Sequence, residues 1–149
     1  MKTNNNKILI VVALAIFFLS CDSKRVYDSY VAVENQTWEL NKEFNFSFQV
    51  KDTLTRNNLF VTIRNNNDYP FSNLFLITKL RFPDGKKVVD TLEYEMADSS
   101  GRFLGKGLSE IKESKLFYKE NVIFPISGEY AVSVSQAMRK SGEVKGIKG

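Results

Sequence analysis

The sequence contains no histidine and a single cysteine, Cys21. One cysteine leaves no internal disulfide. Without histidine there is no Ser–His or Cys–His nucleophile pair, and the commonest metal-ligating side chain is missing. Internal repeats and low-complexity blocks are absent, and no long stretch follows a helical period. The middle of the chain also lacks a basic stripe interleaved with aromatics. The pI near 9.1 comes instead from the two ends. Lys2 and Lys7 stand at the front, and Arg139, Lys140, Lys145 and Lys148 crowd the last eleven residues against Glu143. The body between is about neutral to slightly acidic, so nucleic acid is not an expected partner.

What is present is apolar and aromatic. Hydrophobic residues make up 43% of the 149 and aromatics 13%, twelve of them Phe, which points to a packed core rather than disorder. Without its first 20 residues the chain keeps 129, suitable for one domain. A domain of that size buries roughly two-thirds of its unfolded surface and needs no metal or disulfide staple.

The first 20 residues read as an export signal. Lys2 and Lys7 form a positive start, and Ile8 to Leu19 is a run of twelve apolar residues. Such a run suits a signal peptide and falls short of the ~20 residues of a membrane-spanning helix. Phe18-Leu19-Ser20-Cys21 resembles the lipobox of bacterial lipoproteins, with a bulky apolar residue at −3, a small one at −1, then cysteine. The thiol would take a diacylglycerol, and cleavage between Ser20 and Cys21 would free the amine for a third acyl chain. At ~0.8 kcal/mol per buried CH₂, one chain holds weakly and two or three hold durably. An ordinary signal peptide with a chance cysteine is the plainer alternative. Residues 21–25 (CDSKR) then read as a lipidated tether and 26–149 as the domain.

Period-2 patterning runs through that domain. Residues 26–33 are β-prone throughout. Phe44, Phe46, Phe48 and Val50 alternate with polar residues, and Leu59, Val61 and Ile63 alternate with Phe60, Thr62 and Arg64. Residues 74–82 and 87–96 read as one hairpin, because Pro83 ends the first ladder and Asp84-Gly85 supplies a tight turn. Strands over 116–124 and 129–138 follow, separated by a turn at 125–128. Polar loops fall at 65–70 and 98–101. Residues 102–115 suggest a short strand or an irregular turn, and SGEVKGIKG begins another element without completing it. Seven or eight short strands indicate an all-β fold, a single antiparallel β-sandwich of immunoglobulin-like or jelly-roll-like type, with an up-and-down barrel as the alternative.

Candidate sites are few. Glu93 and Glu95 share one strand face, where paired carboxylates are more often a solvated surface than a catalytic pair. Asp84, Asp90 and Asp98 lack calcium-loop spacing. Trp38, with Tyr27, Tyr30 and Tyr94, could form a sugar-stacking platform, although a lone Trp in a Phe-rich sandwich more often packs. Tyr118 and Arg139 could meet a partner. No catalytic set, metal site or cofactor is expected, and no small-molecule substrate.

The assembled segments resemble the gliding-motility lipoprotein GldH family of the Bacteroidetes. The likeness is carried by the signal ending FLSC, by KRVYDSY, and by VTIRNNNDYPFSNLFLITKLRFPDGKKVVDTLEYEMAD. It continues through GRFLGKGLSEIKE and YKENVIFPISGEYAVSVSQAMR. The resemblance implies a non-enzymatic component of surface gliding, anchored in the cell envelope on the periplasmic or outer side of a membrane. Implied partners are membrane lipid, through acylated Cys21, and other envelope proteins of the gliding and type IX secretion machinery. Members in relatives that do not glide imply a broader envelope role, and the family pattern implies a further strand after the GIKG segment. A carbohydrate-binding envelope lipoprotein, with Trp38 as its contact, is the rival reading. A carboxylate-dependent envelope hydrolase is a third.

Overall fold

The computed structural model describes residues 25–139 and 142–149. Eight strands form: β1 (Thr37–Glu39), β2 (Glu43–Val50), β3 (Asn57–Asn65), β4 (Asn73–Arg81), β5 (Lys87–Glu95), β6 (Lys112–Val122), β7 (Gly128–Gln136) and β8 (Glu143–Lys145). One sheet has the order β2-β7-β4-β5, every neighbour antiparallel. Its inner face is the alternation legible in the sequence. Phe44, Phe46 and Phe48 stand opposite Val134, Val132 and Tyr130, while Leu74, Leu76, Thr78 and Leu80 of β4 are almost wholly buried. Each large apolar side chain so enclosed contributes about 1.5–3 kcal/mol.

The facing layer begins as two ribbons, β1-β8 and β3-β6. They join where the chain beyond β8 pairs with the end of β3. Asn66 N–H donates to Gly146 O (2.9 Å), Lys148 N–H to Arg64 O (2.7 Å) and Arg64 N–H to Gly149 O (2.6 Å). Asn65 and Ile147 form the bridge between them. The layer is therefore β1-β8-β3-β6. Together the two orders make a jelly roll, in which β1 pairs β8, β2 pairs β7, β3 pairs β6 and β4 pairs β5. It is one long hairpin rolled on itself, with the Pro83–Lys86 turn at its centre. Gly85, at φ 85°, supplies the left-handed residue that this turn demands.

Three expectations change. Residues 26–33 form no strand. Their backbone joins no ladder and is tied to the sheets only at its end, Val33 N–H to Lys148 O (3.0 Å). Side chains hold this arm instead. Tyr27 packs on Phe48 (centroids 5.3 Å), and Tyr30 donates to Lys148 O (3.0 Å) beneath the Arg64 guanidinium. Of residues 102–115, 102–111 are irregular with isolated bridges at Phe103 and Lys106, one of the two alternatives expected, while 112–115 already belong to β6, which starts ahead of the strand expected at 116. Within the terminal SGEVKGIKG segment, residues 143–145 form β8 and Gly146 to Gly149 make the junction with β3, rather than only beginning an element.

Gly146 sits at that junction with φ 79°. A Cβ there would lie 2.3 Å from Tyr69 N and 2.7 Å from Asp68 C, both backbone atoms that cannot swing aside. Gly146→Ala should cost on the order of 3 kcal/mol, from the disfavoured φ and the clash together. Gly142→Ala, where a Cβ meets nothing within 4 Å, should cost under about 0.5 kcal/mol. Urea unfolding of both variants checks this, and equal midpoints would contradict it.

Candidate functional site

Strand register places the β4–β5 hairpin turn at 82–86 and the sheet-to-sheet connections at 51–56 and 123–127 at one end of the sandwich. The connections at 40–42, 66–72, 96–111 and 137–142 lie at the other. The arm starts near the first end, where Tyr27 covers Phe48, and climbs to the second, where Tyr30 and Val33 meet Lys148. Ser20 and Cys21, the expected cleavage and lipidation residues, lie outside the described residues.

Trp38 is buried, its ring tilted on Phe44 and its indole N–H donating to Lys42 O (2.9 Å). A side chain so enclosed cannot stack on a sugar. Tyr27 and Tyr30 belong to the arm, and Tyr94 lies on β5, so no platform of these four assembles. Glu93 and Glu95 face solvent, and Glu93 accepts only from Asn73 Nδ2 (2.8 Å).

The three aspartates are kept apart. Asp84 caps its own turn by accepting from Lys86 N–H (3.0 Å). Asp98, at the other end, accepts from Ser100 Oγ–H and from the backbone of Ser100 and Arg102. These bonds, the Ser100 hydroxyl foremost, hold its carboxyl down at about 2. Arg139 lies at the rim of a hollow of about 490 Å³ on the outer face of β2, β7 and β4, far from Tyr118. The Lys79–Glu43 ion pair also lines that hollow.

Asp90 alone turns inward, on the same face of β5 as Val88, Leu92 and Tyr94. Its carboxylate takes Lys119 Nζ at 2.8 Å and the Tyr118 hydroxyl at 3.0 Å, both from the opposing sheet. Consecutive residues of one strand reach the same group because the β3–β6 register slips between Leu59↔Lys119 and Phe60↔Phe117. Such a bulge re-aims side chains. Beside it, Tyr94 Oη–H donates to Phe117 O (2.6 Å), again from sheet to sheet. The Lys119 ammonium and Tyr118 hydroxyl hold Asp90 below the ordinary carboxylate range, against its desolvation. Burial pushes Tyr118 up to about 12. The arrangement is a clamp across the edges of β5 and β6, its carboxylate ionised and matched at neutral pH.

The model of the GldH lipoprotein family matches residues 25–149, a span that includes every described residue. The chain belongs to the GldH lipoprotein family. A relative from Christiangramia forsetii, named a gliding motility lipoprotein GldH homolog, is 50% identical over 141 residues, covering 95% of this chain and 86% of its own. The gliding motility lipoprotein GldH of Flavobacterium johnsoniae is 45% identical over 148 residues, covering 99% of this chain and 90% of its own. No solved structure matches. In this GldH-family chain the RNNNDYP segment, an expected loop, builds the β3–β8 junction. The Asp90 clamp was missed from sequence, although a carboxylate in phase with Val88, Leu92 and Tyr94 was its signal.

Asp90→Asn removes the ionic part of the clamp and leaves Lys119 half-buried beside a neutral amide. It should lower unfolding free energy by about 1–2 kcal/mol near pH 7. Because folding depresses the Asp90 pKa, its contribution is complete above pH about 4 and is lost as pH falls through the lower folded value. The variant should therefore lose less stability on acidification than the wild type. Urea titrations at pH 7 and below 4 check both points, and parallel curves would contradict them.

Proposed function

We propose that this chain is exported, cleaved after Ser20 and acylated on Cys21, and serves as a membrane-anchored component of gliding motility and the associated type IX secretion machinery. It acts by binding other envelope proteins rather than by turning over a substrate. The observation that carries this reading is the likeness to relatives named as gliding motility lipoproteins over 86–90% of their length. The FLSC signal end supports the anchor. The lack of histidine and the full pairing of Asp90 support a binding role.

An anchor at one end of a rolled sandwich orients the rest. The arm rises from the 51–56, 82–86 and 123–127 end, so the opposite connections are presented away from the membrane for partners. In a gene-deletion strain, wild type should restore colony spreading and incorporate labelled palmitate. Cys21→Ala should do neither, while its domain retains the wild-type unfolding midpoint. Full spreading by an unlabelled Cys21→Ala protein would refute the proposal.

A further inference from the structure

The loop end of the sandwich carries apolar side chains that the core does not use. Leu54 stands 84% exposed on the 51–56 loop, and Ile123 and Ile126 are exposed on the 123–127 loop. Val26, at the root of the arm, is 83% exposed. Single exposed apolar residues are common on any protein surface. Leu54 and Ile126 differ in being held out by braced loops. Asp52 accepts from Leu54 N–H (2.8 Å) and Thr55 N–H (3.0 Å), closing a tight turn with Leu54 at its crest. The buried Tyr130 hydroxyl donates to Ile126 O (2.9 Å) and accepts from Ile126 N–H (3.3 Å), fixing the second loop from below.

Location selects what covers them. Between Cys21 and Arg25, where the described chain begins, the covalent reach is at most about 14 Å. An acylated Cys21 would thus confine this end to within one short tether of the lipid, at a high local concentration of bilayer. Charge is arranged compatibly. Asp52 and Asp84 turn their carboxylates into their own turns, while Lys51 and Lys86 flank the loops and are exposed. Apolar side chains inserting 5–10 Å with cations at headgroup level is the pattern of interfacial membrane contact.

We propose that this loop end docks onto the bilayer, with Leu54, Ile123, Ile126 and Val26 entering the interface and fixing the sandwich upright on its anchor. The proposal rests on the lipidation reading given above. The test uses lipidated protein in phosphatidylethanolamine–phosphatidylglycerol vesicles. Cys21 is the only native cysteine and its sulfur is blocked by acylation, so Leu54→Cys, Ile126→Cys and Leu108→Cys each offer one thiol for a polarity-sensitive fluorophore. Leu108 is fully exposed at the opposite end and serves as control.

Labels at 54 and 126 should shift to the blue and be quenched by lipids spin-labelled on the acyl chain, while the label at 108 stays water-like. Protein that floats with the vesicles but gives three water-like labels overturns the docking and leaves the anchor standing. Protein that fails to float removes the anchor and the docking with it. Labels shielded in native envelopes yet water-like in pure lipid vesicles would assign this end to a protein partner instead.

Discussion

The short seam between β3 and the chain beyond β8 is the contact on which the fold depends. Without it the second layer is two ribbons, each burying one apolar face against the other sheet but with no backbone link between them. The seam has few hydrogen bonds, those of Arg64, Asn66 and Lys148 with their partners. Its geometry is set by Gly146, whose missing Cβ lets the chain lie against Asp68 and Tyr69. Asn66 ties the site together from its side chain, accepting from Asp68 N–H (3.1 Å) and donating to Gln36 Oε1 (3.2 Å). Buried backbone groups are costly when unpaired. A segment that supplies their partners is therefore structural rather than a tail.

The same seam gives the molecule its direction. Lys148 takes the Val33 N–H and the Tyr30 hydroxyl on its carbonyl oxygen, so the arm is held at its upper end by the residues that join the ribbons. Its lower end emerges beside the 51–56, 82–86 and 123–127 connections. On the other side of the sandwich, where β5 faces β6, the Asp90–Lys119–Tyr118 clamp and the Tyr94–Phe117 bond bridge the sheets. Backbone and arm tie the middle of the second layer, and side chains tie its β6 edge to β5. The two ends of the sandwich are the surfaces distinguished by their loops, and the proposed lipid anchor would assign one to the membrane and the other to partners.

Alternation made much of this readable beforehand. The Phe44–Phe48 stripe, the Leu59–Ile63 stripe and the 74–96 hairpin fold as their period requires, since one face of each must be buried. Residues 26–33 have the same β-prone composition and form no strand, because composition does not supply the backbone partners that a ladder needs. The polar RNNND segment read as a loop, and its structural weight depends on contact with a glycine some eighty positions later. Trp38 was readable as a packing residue from chemistry alone. Tyr118 and Tyr94 were readable only as aromatics, because the bulge that turns Tyr118 and Lys119 toward Asp90 arises from strand register. The choice of jelly roll over immunoglobulin-like order likewise needed the long-range pairings.

Native-state hydrogen exchange of the amides of Val33, Arg64, Asn66 and Lys148 tests the central claim most directly, since these are the donors that join the ribbons and seat the arm. The account predicts that they exchange only through global unfolding, as slowly as the amides of β4 and β7. Exchange at the rate of a fraying terminus, with β4 and β7 still protected, would show that the second layer is not one sheet and would leave the arm without a fixed exit.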